Sequence, residues 1–163
     1  MKKIIFVFFL INIFTFKADA KIAFIDLNYI LSESVKGKKI LNELNIQNTE
    51  NNKIFNASEK KFEKKKNEIT KLKNIISEDE LKKKINQFQL EVKKYKEEKN
   101  NTVKSFEKLK KSELDNFFKS LNEILNIYMK ENDISMVIEK KSIIMANSTL
   151  DITENILNIV NKN

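Results

Sequence analysis

The 23 carboxylates are the first side chains to consider for catalysis in this 163-residue chain, because the sequence contains no histidine and no cysteine. The absence of histidine and cysteine removes the imidazole general base, the thiolate nucleophile and the usual zinc ligands. The single glycine, Gly37, excludes phosphate-binding loops, which need several glycines. The carboxylates are dispersed among lysines in helix-forming sequence, where solvated charge is their ordinary role. We therefore expect no enzyme, no metal site and no cofactor.

The basic residues are all lysines, since arginine is absent. Lysine creates a general positive field but lacks the bidentate fork with which arginine reads phosphate or guanine. A biased codon composition would also explain the heavy use of Lys, Asn, Ile and Phe. The net charge of +8 keeps a nucleic-acid or anionic-surface binder open as an alternative. Because glutamates are interspersed throughout, we expect no specific nucleic-acid partner.

The first twenty residues have the pattern of a secretory signal peptide. Lys2 and Lys3 precede an apolar run from Ile4 to Phe16, and Ala18-Asp19-Ala20 supplies a small-x-small cleavage site. A short membrane anchor is the alternative, but the run of 13 residues is too short to span a bilayer. We predict cleavage after Ala20 and export to the bacterial periplasm. The mature chain would then carry 28 basic and 22 acidic residues, a net charge of +6.

The middle of the chain predicts two long helices. The first would run from Asn28 to about Ile76, with apolar residues seven apart, and the second from about Glu80 to Asn132. Ser77-Glu78-Asp79-Glu80 interrupts the apolar stripe and offers a helix cap with first-turn carboxylates. Because some 49 residues would make a helix of roughly 70 Å, the helices must project from any compact body.

Folding the chain back at residues 77–79 brings the two apolar stripes together in an antiparallel hairpin. The alternative is one uninterrupted helix in a long parallel coiled coil. We favour the hairpin, in which narrow stripes make a loosely held arm. The facing pairs would be Leu72 with Ile85, Ile69 with Phe88, and Phe62 with Tyr95.

Short apolar segments at the two ends of the mature chain predict strands. The run from Ile22 to Ile25 is typical of a buried strand, and alternation over residues 134–138 and 143–145 predicts a strand hairpin. Asp151 and Glu154 form a capping box before a short closing helix. The predicted fold is α+β, mostly α with a small β body. Residues 21–35 and 125–163 would form the body, and residues 36–124 the arm, with its tip near 77–80.

Two segments, one near each end of the mature chain, match the pattern of a known protein family. The first matching segment runs from Ile22-Ala23-Phe24-Ile25-Asp26 through Tyr29-Ile30-Leu31 and Gly37-Lys38 to Leu41–Leu44. The second runs from Met136-Val137-Ile138 through Ile143-Ile144 to Asp151-Ile152-Thr153. These segments, together with the signal peptide, the length and the lysine-rich middle, resemble the Skp (OmpH-like) family of periplasmic chaperones. Met145 is a departure, because many members carry Tyr there.

The resemblance implies a homotrimer in which strands of three chains form a central body and helical arms surround a cavity. Family members capture unfolded outer-membrane proteins there and release them without ATP, and some are linked with lipopolysaccharide. An anionic membrane surface is a related possible partner. On this basis we predict that the oligomer body contains Ile22, Phe24, Ile25, Met136, Ile138, Ile143 and Met145.

Client contact is expected from apolar arm residues that the hairpin does not use fully. A non-chaperone periplasmic spacer or envelope scaffold is the alternative, although the stripe breaks at 77–80 and 109–114 disfavour a continuous coiled coil. The distributed client-binding candidates are Ile54, Phe55, Phe62, Phe88, Tyr95 and Phe106.

Overall fold

The computed structural model describes residues 20–162, so the predicted signal peptide lies, apart from Ala20, outside the described residues. Two 3₁₀ turns lie between the second strand and the last helix, at Lys140–Ser142 and Ser148–Leu150. The strands and α-helices in chain order are β1 (Lys21–Ile25), α1 (Leu27–Glu33), α2 (Val35–Leu72), α3 (Glu78–Glu131), β2 (Ile134–Glu139) and α4 (Thr153–Val160).

Helices α2 and α3 form the antiparallel arm. They contain 38 and 54 residues, which at 1.5 Å per residue gives lengths of about 57 and 81 Å. The chain reverses after Leu72, and the Ser77 hydroxyl then caps α3 by accepting a hydrogen bond from the Glu80 amide at 3.3 Å. The predicted antiparallel hairpin is confirmed, and the alternative of one uninterrupted helix is wrong. The predicted position of the tip, near residues 77–80, stays a prediction.

The first predicted helix is divided at Ser34. This residue has an extended backbone, with ψ at 148°, and its hydroxyl accepts a hydrogen bond from the Gly37 amide at 3.1 Å. The prediction of one continuous helix from Asn28 to Ile76 was therefore wrong at Ser34 and at its end. The break is not visible in the sequence pattern, because a one-residue corner hardly disturbs the spacing of the apolar residues.

The two strands pair with each other in parallel. Ile22 faces Met136 and Phe24 faces Ile138 across the ladder. On the other edge of β1, the Ile152 amide donates to the Phe24 carbonyl at 3.0 Å. In the described chain, residues 143–145 form no strand, so the predicted strand hairpin was wrong.

The cause of that error lies in the turn after β2. Residues 140–142 coil into a 3₁₀ turn in place of a tight hairpin turn. The Lys140 ammonium lies 3.8 Å from Asp26 Oδ2 and 3.7 Å from Asp151 Oδ2. Beyond this turn the chain crosses the end of the sheet and reaches the edge of β1 that does not pair with β2.

One hydrophobic core joins the sheet to the root of the arm. Residues of the two strands, of α1 and of α4 meet residues of α2 and α3 in it. The core therefore reaches past the predicted body boundaries of 35 and 125 into the first turns of the arm, and the boundaries themselves stay a prediction. The buried residues of this core are Ala23, Ile25, Ile30, Ile40, Leu44, Phe117, Leu121, Leu125, Ile134, Ile152, Ile156 and Leu157.

Candidate client-binding arm and assembly surface

An aromatic cluster holds the middle of the arm together. The Phe62 ring of α2 lies between two rings of α3, with centroid distances of 6.1 Å to Phe88 and 5.1 Å to Tyr95. The Phe62–Phe88 pair is edge-to-face, an arrangement that the ring quadrupoles favour. The predicted contact of Phe62 with Tyr95 is confirmed.

A polar cluster lies one turn closer to the body. The Lys99 ammonium is 2.6 Å from Glu59 Oε1 and 5.0 Å from the centroid of the Phe55 ring. The Tyr95 hydroxyl lies 3.2 Å from the same carboxylate oxygen and 3.3 Å from the Phe55 carbonyl, between which it shares its one hydrogen. The side chains of Glu59, Lys99 and Tyr95, together with the Phe55 ring, therefore connect the two helices at the same position along the arm.

These contacts shift the ionisation of the groups involved. Hydrogen bonds from Lys99 and Tyr95 lower the pKa of Glu59, and the bond to Glu59 raises the pKa of Lys99. Partial burial, followed by the hydrogen bond to Glu59, raises the pKa of Tyr95. Each shift favours the protonation state that keeps the bridge formed at neutral pH.

A second ion pair lies beside the aromatic cluster, with Glu91 between Phe88 and Tyr95 along α3. The Lys65 ammonium lies 2.7 Å and 2.6 Å from the two carboxylate oxygens of Glu91. This hydrogen bond lowers the pKa of Glu91. We call the residues from Phe55 to Lys65 of α2 and from Phe88 to Lys99 of α3 the mid-arm clasp. Within it, contacts between side chains set the register of the two helices.

Most predicted client-binding residues lie inside the arm. Phe55, Phe62, Phe88 and Tyr95 are half-buried in the clasp. Phe106 is half-buried against the hydrophobic core. Ile54 alone is well exposed, at 59% of its full surface. The structure thus brings five of the six candidates into helix-to-helix packing, and their role in client contact stays a prediction.

Other exposed aliphatic residues on the arm were missed. Leu90 is 67% exposed, and Ile46 and Val103 are also open to solvent. They lie off the seven-residue stripe, from which the client-binding candidates are predicted. An apolar residue that lies off the stripe and has a polar neighbour on each side is the signal that would have identified them.

The predicted oligomer-body residues divide into two groups. Phe24 and Ile25 are buried within the chain itself. Ile22, Met136 and Met145 are exposed, with Met145 at 90%. Ile138 and Ile143 lie between these extremes. Ile144, which was not among the predicted residues, is fully exposed beside Met145, so the body carries uncovered apolar surface.

The described residues also limit other kinds of site. Within residues 20–162, no three His, Cys, Asp or Glu side chains are grouped so that they could hold a metal ion. None of the helices in the same range combines the length and the apolar character that crossing a membrane requires.

Comparisons with known proteins agree with this architecture. A comparison with curated proteins finds no match. A solved structure described as a candidate outer membrane chaperone (OmpH-like) from Caulobacter crescentus CB15 is similar in fold, with a TM-score of 0.76. The two share 15% sequence identity over 88% of this chain and 85% of that chain. The family model described as outer membrane protein (OmpH-like) matches residues 21–160. The chain therefore belongs to the OmpH-like family.

Proposed function

We propose that the chain, after removal of residues 1–20, is an ATP-independent holdase chaperone of the bacterial periplasm. It binds unfolded outer-membrane proteins between helical arms and prevents their aggregation until they reach the outer membrane. Membership of the OmpH-like family supports a chaperone-type role. The similar structure, described as a candidate outer membrane chaperone, supports the same class of function.

The observation that carries this proposal is the construction of the arm. Its two helices are joined by one narrow row of contacts, so much of the helix surface is left free. Exposed aliphatics such as Ile54 and Leu90 stand on that surface among lysines. Many weak apolar contacts on a flexible arm suit varied unfolded chains better than a shaped pocket would.

Charge would bring the clients to the arms. The mature chain carries a net charge of +6, and a trimer would present it three times. Acidic clients would be attracted over about one Debye length, roughly 8–10 Å at physiological salt. The same lysines make lipopolysaccharide or an anionic membrane surface a possible further partner.

Exposed apolar residues on the body support association with further chains, which we propose to be a homotrimer as the family resemblance implies. A two-stranded sheet is marginally stable by itself, and here Met136 of β2 is 53% exposed. Ile144 and Met145 stand free just beyond β2. Neighbouring chains that covered these residues would complete a body from residues 21–35 and 125–163, with each 36–124 arm projecting from it.

The proposal is tested by aggregation of a denatured outer-membrane barrel protein, followed by light scattering. At one trimer per client, the mature protein is expected to suppress scattering without ATP. Normal aggregation in its presence would refute the holdase function. Weaker suppression at high salt would support electrostatic attraction as part of capture.

The mass of the mature protein in solution separates the holdase from a periplasmic spacer or envelope scaffold. Light scattering coupled to size-exclusion chromatography should give the mass of three chains. An extended dimer would favour the spacer, because a dimer cannot surround a client with three arms.

A further inference from the structure

The joint between the body and the arm is a single residue. Ser34 separates α1 from α2, and its side chain is fully buried. Its hydroxyl accepts a hydrogen bond from the Gly37 amide. The amides of Val35 and Lys36 precede the first intrahelical bond of α2, which Lys38 donates to the Ser34 carbonyl. The partners of these amides determine how firmly the arm is held at its root.

One of these amides is bound by the far end of the chain. The Val35 amide donates to Oδ1 of Asn161 at 2.9 Å, across 126 positions of sequence. Asn161 directly follows α4 and is its C-cap residue. A side chain near the C-terminus therefore serves as the external partner of the first residue of the arm.

The other end of α4 is attached in a similar way. The Asp26 amide donates to Oγ1 of Thr153 at 2.9 Å, and Asp26 is the N-cap residue of α1. Asn155 of α4 also donates to the Tyr128 hydroxyl of α3 at 3.0 Å. Helix α4 is thus bonded at both ends of α1 and to α3, while its apolar face is buried in the core.

We infer that α4 is a strut that fixes the direction in which the arm leaves the body, with Asn161 as its positioning residue. The buried face and Thr153 hold α4 in place, and the Asn161 amide oxygen transmits that position to Val35. Without this bond, the start of α2 keeps only the Ser34 cap and the core contacts below it. The inference goes beyond the holdase proposal, because it concerns the anchoring of the arm and involves no client.

Amide hydrogen exchange of the full mature chain tests the bond itself. In Asn161→Ala, exchange of the Val35 amide should become about five- to tenfold faster, which is the effect of losing one ordinary hydrogen bond. Asn161→Asp keeps an acceptor oxygen and should restore slow exchange. Asn158→Ala, an exposed change on the same helix, is the matched control and should leave Val35 unchanged. Equal exchange in all four proteins would overturn the inference.

Electron-spin distance measurements test the direction of the arm. Because the chain has no cysteine, Ser135→Cys on β2 and Asn56→Cys on α2 would carry the only two labels. Labelled chains are diluted with unlabelled chains so that each particle reports one body-to-arm distance. Asn161→Ala should broaden the distance distribution, and Asn158→Ala should not.

A distribution of unchanged width in Asn161→Ala would refute the strut. The distances are measured without a client, so this result would leave the holdase proposal untouched. The converse result is also informative. If the wild-type protein fails to suppress aggregation but Asn161→Ala still broadens the distance distribution, the holdase proposal is refuted and the inferred role of α4 stands.

Discussion

The Glu59 carboxylate and the Lys99 ammonium approach to 2.6 Å between α2 and α3, 40 residues apart in sequence. Both side chains stay partly exposed, so the attraction between them is screened by water and salt. The position of the ion pair makes it important for the register of the two helices. It lies beside the aromatic cluster, where the narrow contact between the helices leaves few other interactions to hold the register.

We predict that acid loosens the mid-arm clasp. The pKa values of Glu59 and Glu91 are lowered in the folded chain, so their stabilising effect is complete above the ordinary glutamate pKa of about 4.3. It is lost as the pH falls through the lower folded values. Between about pH 6 and pH 3, hydrogen exchange of the clasp amides should accelerate relative to that of the core amides.

The variant Glu59→Gln isolates this effect from general acid unfolding. Its clasp should exchange faster than the wild-type clasp at pH 6, and the difference should shrink as the pH approaches 3. Glu63→Gln, an exposed change one turn along α2, is the control. A difference between wild type and Glu59→Gln that stays constant across this range would contradict the prediction.

We predict that Phe62→Ala opens the arm locally and leaves the body folded. The ring contacts both Phe88 and Tyr95 but is only half-buried, so its loss should cost about 1–2 kcal/mol, below the range for a fully buried phenylalanine. Limited proteolysis within α2 should become faster, while the thermal unfolding of the core changes little. Ile54→Ala, next to the clasp and exposed, should change stability by less than about 0.5 kcal/mol.

The arm could be predicted from sequence because its pattern is local. Residues seven apart on one helix lie on one face whatever the rest of the fold does, and the interruption at Ser77 fixes where the chain turns back. From these two facts the Phe62–Tyr95 contact follows by counting. The break at Ser34 could not be predicted, because a serine and a nearby glycine in a helical pattern do not indicate a corner when the apolar spacing continues.

The sheet was harder to predict because its pairing is not local. Ile22 and Met136 are 114 positions apart, and alternation of apolar residues indicates a strand without identifying its partner. The candidate site was limited by a related ambiguity. The spacing that singled out Phe55, Phe62 and Tyr95 is the spacing that packs them against the other helix, so exposure could not be predicted from the same pattern.

We predict that Gly37→Ala destabilises the joint between α1 and α2. In most helices this change stabilises by roughly 0.5–1 kcal/mol. Here a Cβ would lie 1.9 Å from the Leu31 carbonyl oxygen and 2.8 Å from the Ser34 hydroxyl. The backbone would have to move, at a cost of about 2–3 kcal/mol.

Urea unfolding of the mature protein measures this change. Lys36→Ala, an exposed substitution in the same helical turn, should stay within about 0.5 kcal/mol of wild type. A Gly37→Ala protein as stable as wild type would show that the corner at Ser34 is looser than the structure has it.

We predict that stability depends on which residue replaces Asp133, which follows α3 with a positive φ of 54°. This left-handed conformation costs most side chains about 1–2 kcal/mol and costs glycine almost nothing. Asp133→Gly should therefore leave the melting temperature unchanged or raise it slightly. Asp133→Val should lower it, because a β-branched residue fits this conformation poorly. The reverse order would contradict the prediction.

We predict that exposed aliphatics on the arm, rather than the clasp aromatics, carry most of the client contact. Ile54→Gln removes apolar surface without adding charge and, from partial burial worth about 1 kcal/mol, should raise the concentration needed for half-suppression of client aggregation about fivefold. Ile54→Leu keeps the apolar surface and should act like wild type. Both variants should have the melting temperature of wild type, since Ile54 is 59% exposed. If Ile54→Gln suppressed aggregation as well as Ile54→Leu does, client contact would have to be assigned to another part of the arm.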